Sequence, residues 1–195
     1  MVFLTLGRRQ GDAKVNEMGE ESVITSERRF RRATMADWPT MLKIYEHARK
    51  LMASNGNPTQ WGDKFPREEV VRDDVESQRT VLLVDTVDGE ERVLAQFALC
   101  PGIDPTYVNI DGAWLDDDPY VTIHRIASSG LAKGAAKDCI NWCIEHYGNV
   151  RADTHPNNKA MQHVLESNGF ARCGLIQLLD RPSDTTRIAY QRHEW

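Results

Sequence analysis

The residues best suited to chemistry lie in one continuous stretch, Tyr120 to Ala136, which reads Y-V-T-I-H-R-I-A-S-S-G-L-A-K-G-A-A. Its first half is typical of a β-strand, and a loop containing Gly130 and Gly134 leads into a helix. Glycines let a backbone turn tightly and approach a phosphate, and the unpaired N–H groups of a first helical turn face such a ligand with the positive end of the helix dipole. The stretch therefore predicts an anion site at a helix start.

Many α/β turns have the same pattern and bind no ligand. The stretch therefore indicates a particular function only if a second region of the chain indicates the same one. A nucleotide-binding module could use this loop for another phosphate. However, the loop lacks the Ser or Thr with which a P-loop holds magnesium. A second region does agree: a predicted helix begins at Asn158 and ends with Asn168, Gly169 and Phe170.

Together these two regions resemble the GNAT superfamily of acyl-CoA N-acyltransferases. The family signature is Arg or Gln, two residues, Gly, one residue, then Gly or Ala, five positions after an apolar strand residue. Positions 131–136 fill this frame and Ile126 precedes it, although Leu131 stands where the family favours Arg or Gln. The strings I-H-R-I-A-S-S-G, N-K-A-M-Q and R-I-A-Y-Q are similar to those of a bacterial subgroup. The resemblance covers roughly residues 30–190.

The resemblance implies an α/β domain with a mixed, mostly antiparallel sheet flanked by helices. The strand ending near Ile126 and the one starting near Val150 should run parallel and splay apart, with the pantetheine arm of acetyl-CoA in the gap. Acetyl-CoA is then the cosubstrate and no metal is needed. The implied cofactor-binding residues are Ile126, Ala127, Ser128, Gly130, Leu131, Ala132, Lys133, Gly134, Ala135 and Asn158.

The proton transfers of such a reaction need their own residues. Strand alternation places His124 on the same face as Ile126, and the ordinary histidine pKa of about 6.5 suits a base near neutrality. The competing interpretation, a hydrogen-bonded core histidine, is the commoner role for a histidine in such a position, and Glu46 and Asp111 are weaker candidate bases. Family members often place a Tyr, proposed as the general acid, where this chain has Leu165. Tyr190 or bound water would then protonate the thiolate, unless it leaves unprotonated.

The elements that must position these residues follow from periodicity and turn signals. Residues 1–27 lack sustained periodicity, so we expect a flexible leader, with Met18 as an alternative start, before a GNAT domain over 28–195. The predicted order is one strand, two helices, three strands, a helix, a strand, a helix and two strands. Predicted helices cover 34–52, 67–78, 133–147 and 158–167, and predicted strands cover 30–34, 81–87, 93–100, 120–127, 150–153, 170–179 and 187–191.

The amino-acid composition limits the classes of partner and the cellular compartment that fit this protein. A formal net charge of −5 gives no general attraction for nucleic acid. No apolar run reaches the roughly 18 residues of a membrane helix, and no signal peptide is evident, which favours the cytoplasm. Four cysteines are too few for a secreted disulfide scaffold, so we expect free thiols. Cys139, Cys143 and His146 match no common zinc spacing.

The sequence therefore predicts an N-acetyltransferase that acts on an amine, small or peptidic, by direct attack in a ternary complex. Homodimers are common among such proteins, so a homodimer is compatible with this class. The first alternative is a GNAT-fold protein that binds acyl-CoA as a sensor with weak or no catalysis, because Leu131 and Leu165 replace two favoured residues. A thiol enzyme using Cys139 or Cys173 ranks last, because neither cysteine has an evident histidine partner.

Overall fold

The structure, a computed structural model, describes residues 27–194 and, before them, two short paired strands, β1 (Lys14–Val15) and β2 (Glu21–Ser22). The leader expected over residues 1–27 lies largely outside the described residues. The rest of the domain is an eight-stranded sheet with helices on both faces.

The helices and strands follow the predicted order. The helices are α1 (Trp38–Ser54), α2 (Glu68–Glu76), α3 (Ala135–Tyr147) and α4 (Lys159–Ser167), with short 3-10 turns at Met35–Asp37 and Pro105–Tyr107. The strands are β3 (Arg29–Arg32), β4 (Thr80–Val87), β5 (Glu90–Pro101), β6 (Asp111–Gly112), β7 (Val121–Ser128), β8 (Asn149–Thr154), β9 (Ala171–Gln177) and β10 (Thr186–His193). The two-residue strand β6 lies in a segment where the sequence predicts no strand or helix.

Local sequence explains the main turns. The β4–β5 hairpin turns at Asp88 and Gly89, which both have positive φ (53° and 81°), the conformation that tight hairpins require. Ahead of α1, the Asp37 carboxylate accepts a hydrogen bond from the Thr34 amide at 2.8 Å. These contacts confirm the hairpin and the helix start that the sequence predicts.

The sheet separates two hydrophobic cores. On one face, α3 and α4 bury residues such as Ile140, Cys143 and Leu165 against β5, β7 and β8. On the other face, α1 and α2 bury residues such as Met41 and Val71. Strand order is β3-β4-β5-β7-β8-β10-β9-β6, and among the described strands only β7 and β8 pair in parallel.

The parallel pair opens into a gap, as predicted. Its register runs from Val121 opposite Val150 to Ile123 opposite Ala152 and then stops, although both strands continue. The unpaired ends, from His124 in β7 and Asp153 in β8, diverge. The mostly antiparallel GNAT-type sheet is therefore confirmed.

The alternation expected along β7 is interrupted by a β-bulge. The register against β5 shifts between the pair Ala98–His124 and the pair Gln96–Ala127, and Arg125 has a φ of 54°. Because a bulge inserts one extra residue, it breaks the period of two. Ile126 consequently packs on the α3 core together with Ile123, and the argument that put His124 and Ile126 on one face is wrong.

Candidate active site

The diverging ends of β7 and β8 enclose a cavity of about 240 Å³, here called the inter-strand cavity. Ile123 and His124 of β7 face Ala152 and Asp153 of β8 across it, and Leu165 of α4 closes one side. The cavity is thus built between two strand ends that are no longer paired with each other, although β5 and β10 still pair with their outer edges.

A second cavity of about 450 Å³ lies between α1, α3 and α4 and is here called the helix-side cavity. Residues 126–128 of β7, Ala136 of α3 and Asn158 of α4 line it. The two cavities share Met52, Ile126, Asn158 and Met161 as wall residues, so they form adjoining parts of one cleft.

The glycine loop forms the start of α3 next to this cleft. Gly134 is the residue before the helix, with a φ of 78°, and no side chain caps the helix there. Within residues 27–194, the amides of Ala132, Lys133 and Gly134 meet no protein acceptor, whereas Leu131 donates to Ser129 Oγ at 3.3 Å. The free amides and the helix dipole make this loop suited to an anion.

The predicted cofactor-binding residues fall into two groups, those that line the helix-side cavity and those in the glycine loop. Ile126, Ala127 and Ser128 line the helix-side cavity, as does Asn158. The loop side chains do not converge on it: Leu131 and Lys133 are exposed, and Ala135 is buried in the core. Gly130 Cα is close to His47, because a Cβ there would lie 2.9 Å from His47 Nε2. The loop therefore offers backbone amides rather than side chains.

Asn158 has a structural task at the start of α4. Its Oδ1 accepts from the Met161 amide at 3.1 Å, and its Nδ2 donates to Gln60 Oε1 at 2.9 Å. Asn57 donates to the same Gln60 oxygen at 2.6 Å. These bonds tie α4 to the loop after α1 and hold the cleft walls together.

His124 lies between two carboxylates inside the inter-strand cavity. Its Nε2 is 2.6 Å from Asp104 Oδ2, and its Nδ1 is 4.0 Å from Asp153 Oδ2. Asp153 also accepts a hydrogen bond from the Tyr107 hydroxyl at 2.8 Å. A histidine held this way can take up a proton while the carboxylates stabilise the resulting charge.

Asp104, which contacts His124, and Tyr107, which contacts Asp153, both have shifted pKa values. Burial acts to raise the pKa of Asp104, but hydrogen bonds from His124 and from the Thr106 amide outweigh it and leave the pKa below its usual value. Burial, reinforced by the negative charge of Asp153, raises the pKa of Tyr107 well above that of a free tyrosine. Asp104 is therefore ionised and Tyr107 protonated at neutral pH.

Sequence reasoning missed Asp104, Asp153 and Tyr107. Asp104 and Tyr107 belong to the polar segment between β5 and β7, whose path no periodicity reveals. Asp153 had a usable signal, because it lies at the unpaired end of a predicted strand beside the predicted splay. Trp61 is a further residue that lines the inter-strand cavity, and its ring packs against the Tyr45 ring.

The structure does not bring the other candidate proton-transfer residues to the cleft. Tyr190 is fully buried in the core, its hydroxyl donates to Glu166 Oε1 at 2.8 Å, and burial raises its pKa. Glu46 is exposed on α1 and pairs with Lys50, and Asp111 is exposed on the edge strand β6. No described residue takes the place of the missing Tyr at Leu165.

The cysteines and possible metal ligands are separate from the cleft. Cys139 and Cys143 are fully buried, and burial raises the pKa of both thiols, while His146 is exposed and bonds to the Trp142 carbonyl. Elsewhere, Asp116, Asp118 and His193 bring ligand atoms within 4.8 Å of one another. Asp116 there already accepts hydrogen bonds from Asn149 at 3.0 Å and from Gln191 at 3.2 Å.

The fold and the splayed cleft define the class: this is a GNAT-fold protein, and the resemblance seen in the sequence is confirmed. A GNAT-family acetyltransferase from Streptococcus agalactiae is 28% identical with a TM-score of 0.75, covering 88% of this chain and 99% of its own. One from Listeria monocytogenes is 16% identical with a TM-score of 0.62, covering 86% and 95%. The NatC complex bound to Gag peptide and CoA is 14% identical with a TM-score of 0.56, covering 87% and 99%.

Comparison with known sequences adds no further assignment, since no protein-family model and no curated protein matches this chain. The Streptococcus agalactiae neighbour supports acetyl transfer as the general reaction class. None of the helices in the described part of the chain has the length and apolar character needed to span a bilayer.

Proposed function

We propose that this protein is an acetyl-CoA-dependent N-acetyltransferase in which an acceptor amine attacks the thioester directly in a ternary complex. The observation that carries the proposal is the gap between β7 and β8. It opens a cleft that reaches from Ala136, in the first turn of α3, to His124. A donor and an acceptor can therefore meet inside the sheet.

Acetyl-CoA fits the two parts of the cleft by its chemistry. The amides of Gly130 to Ala135 would bind the pyrophosphate, with the helix dipole favouring its negative charge. The pantetheine arm would lie along residues 126–128, where the β7 edge facing β8 has no strand partner. The neighbouring NatC structure, which contains CoA, supports acyl-CoA as the class of donor.

The acetyl transfer needs a proton acceptor close to the amine. The amine nitrogen attacks the thioester carbonyl, the C–S bond breaks, and the amine proton passes to His124 directly or through water. Asp104 holds the imidazole at 2.6 Å and stabilises its charged form. Because Leu165 at the cavity wall cannot donate a proton, CoA leaves as the thiolate, which solvent then protonates. A thiol pKa near 8.5 makes that departure tolerable near neutral pH.

A sensor that binds acyl-CoA without turnover is the second candidate. It is favoured by the apolar Leu165 in the cavity wall and by the absence of a tyrosine among the described lining residues. The presence of a paired His124 and Asp104 argues for catalysis instead, because a sensor does not need a base beside the thioester.

The test is an acetyl-CoA turnover screen over amino acids, polyamines, aminoglycosides and peptides, read as free thiol released. Calorimetry with CoA is run in parallel on the same preparation. Acceptor-dependent thiol release establishes the enzyme. Binding of CoA without thiol release for any amine class would support the sensor, and failure to bind CoA would remove both candidates.

A further inference from the structure

The inter-strand cavity contains two buried arginines that the acetyl-transfer proposal does not use. Arg181 and Arg187 come from the loop between β9 and β10 and from the start of β10, and both line the cavity. Only 2% of Arg187 is exposed. Arginines this deeply buried are rare unless their donors are paired.

Each of these arginines has a buried nitrogen without a hydrogen-bond acceptor in the described chain, although each also lies near a carboxylate, Asp180 for Arg181 and Asp184 for Arg187. Arg187 Nη1 donates to the carbonyls of Asp184 and Thr186, both at 2.8 Å, but its Nη2 has no acceptor. Arg181 stacks on Phe65 with its guanidinium carbon 3.8 Å from the ring centre, and its Nη1 donates to the Gln60 carbonyl. Its Nε has no hydrogen-bond acceptor, with Asp180 Oδ1 3.9 Å away. A buried charged donor left unpaired costs more than an ordinary lost hydrogen bond.

The two arginines therefore bring positive charge to the cavity wall, where it favours an anion. Burial lowers the pKa of both guanidinium groups, and the negative charges of Asp180, Asp184 and Asp153 counteract this. Arginine nevertheless stays protonated in proteins, so the positive charges persist. A planar carboxylate is the anion that guanidinium forks bind best, with two oxygens for two donors.

The same cavity carries negative charge around His124. Asp104 and Asp153 lie there, and Asp180 also lines the cavity. Carboxylates attract a protonated amine and orient it towards the base. One small cavity thus presents acceptors for an ammonium group and donors for a carboxylate.

We propose that the acceptor is an amino acid or a close analogue, whose carboxylate binds Arg181 and Arg187 while its amine lies at His124. The inference rests on the proposed acetyl transfer and narrows its acceptor to small molecules that carry both groups. A cavity of about 240 Å³ has the scale of such a molecule rather than of a long peptide.

The experiment compares matched triplets, each made of an amino acid, its primary amide and the amine that lacks the carboxyl group. Triplets with small, apolar, polar and charged side chains cover the unknown side-chain preference. We expect kcat/KM for the best amino acid to exceed that of its amide and amine by about 100-fold, because a site built to bind a polar group rejects ligands that lack it. Equal kcat/KM across every triplet would overturn the inference while leaving acetyl transfer intact.

Variants then assign the preference to the two arginines. Arg181→Met and Arg187→Met should each lower the preference, measured as kcat/KM for the amino acid over kcat/KM for its amine, by about 10-fold or more. Arg172→Met is the matched control, since Arg172 is exposed on β9 and outside the cavity lining. If Arg187→Met does not fold, Arg181→Met alone decides the question. A preference that survives in the folded variants would contradict the assignment.

A binding measurement separates this inference from the proposed catalysis. Calorimetry in the presence of CoA compares N-acetyl amino acids with the N-acetyl amines of the same triplets. Tighter binding of the acids, lost in Arg181→Met, would uphold the carboxylate site even if no amine is turned over. Equal binding together with no turnover preference would overturn it.

Discussion

At the scale of single residues, the chemistry depends on how His124 is held. Asp104 and Asp153 approach the two imidazole nitrogens from different segments, and Tyr107 fixes Asp153. Each partner limits the orientations that the imidazole can take. We expect His124 to work as a positioned base rather than as a core histidine.

The first prediction concerns His124→Gln, which preserves approximate size and hydrogen bonding but removes the imidazole nitrogen that would accept the proton. Turnover should fall by about 100-fold or more, and the acidic limb of the pH–rate profile should move, with CoA affinity little changed. The measurements are steady-state kinetics across pH and calorimetry with CoA. His163→Gln, at an exposed position of α4, is the control. Wild-type turnover and pH dependence in a folded His124→Gln protein would show that the base lies elsewhere.

The second prediction concerns the pH dependence of stability through Asp104. Its pKa is lower in the folded protein than in the unfolded chain, so its contribution is fully present above the unfolded pKa of about 3.9 and is lost as pH falls through the folded pKa. Asp104→Asn should lower the free energy of unfolding by about 1–2 kcal/mol near pH 6, because it weakens a hydrogen bond to a charged group. That difference should shrink below about pH 4. Urea titrations at several pH values measure it, and a difference that does not vary with pH would contradict the prediction.

At the scale of elements, the start of α3 and the bulge in β7 shape the cleft. The bulge at Arg125 redirects the strand, so that Ile126 packs on the α3 core and Ala127 faces α1. The loop after β7 then brings its amides to the α3 terminus without any capping side chain.

The third prediction tests these amides with Gly134→Pro. Proline removes the N–H group and cannot adopt the φ of 78° found at Gly134, so the turn must distort. CoA affinity should fall by about 10-fold or more. Lys133→Ala, which removes a charge but retains the amides, should change it by less than about 3-fold. Calorimetry with CoA on folded variants is the measurement, and unchanged affinity in Gly134→Pro would show that the loop does not bind the pyrophosphate.

At the scale of the whole molecule, a buried ion network joins α2 to the cleft. Asp74 of α2, with 4% of its side chain exposed, accepts from Arg79 Nε at 3.0 Å and from Arg125 Nε at 2.7 Å. Arg125 is the bulge residue of β7. The network thereby couples packing of the α1–α2 face to the geometry beside His124.

The fourth prediction compares neighbouring aspartates. Asp74→Ala should destabilise the protein by about 3 kcal/mol, because it leaves two guanidinium groups without their buried partner. Asp73 is also a partner of Arg79, but 65% of its side chain is exposed. Asp73→Ala should therefore lower the free energy of unfolding by less than about 0.5 kcal/mol. Denaturant unfolding of both variants measures the difference. Similar destabilisation by the two changes would mean that the buried network contributes little.

Much of the architecture was determined by the sequence alone, because local signals specify it. Apolar periodicity predicted α1 to α4, and turn residues such as Gly89 marked the hairpins. The family resemblance carried by the motif around Gly134 implied the splayed parallel pair. Boundaries differ by a few residues, since helix and strand ends depend on contacts as well as on propensity. These features depend on residues close together in the chain.

Only the tertiary structure decided the environment of the reacting groups. His124 meets Asp104, 20 positions away, and Tyr107 meets Asp153, 46 positions away, through loops whose paths leave no periodic signal. The bulge at Arg125 overturned the strand-alternation argument because an inserted residue depends on pairing with β5. Tyr190 was a plausible acid by type, yet its position on the central strand β10 buries it, since a side chain's role follows from what surrounds it in the folded chain.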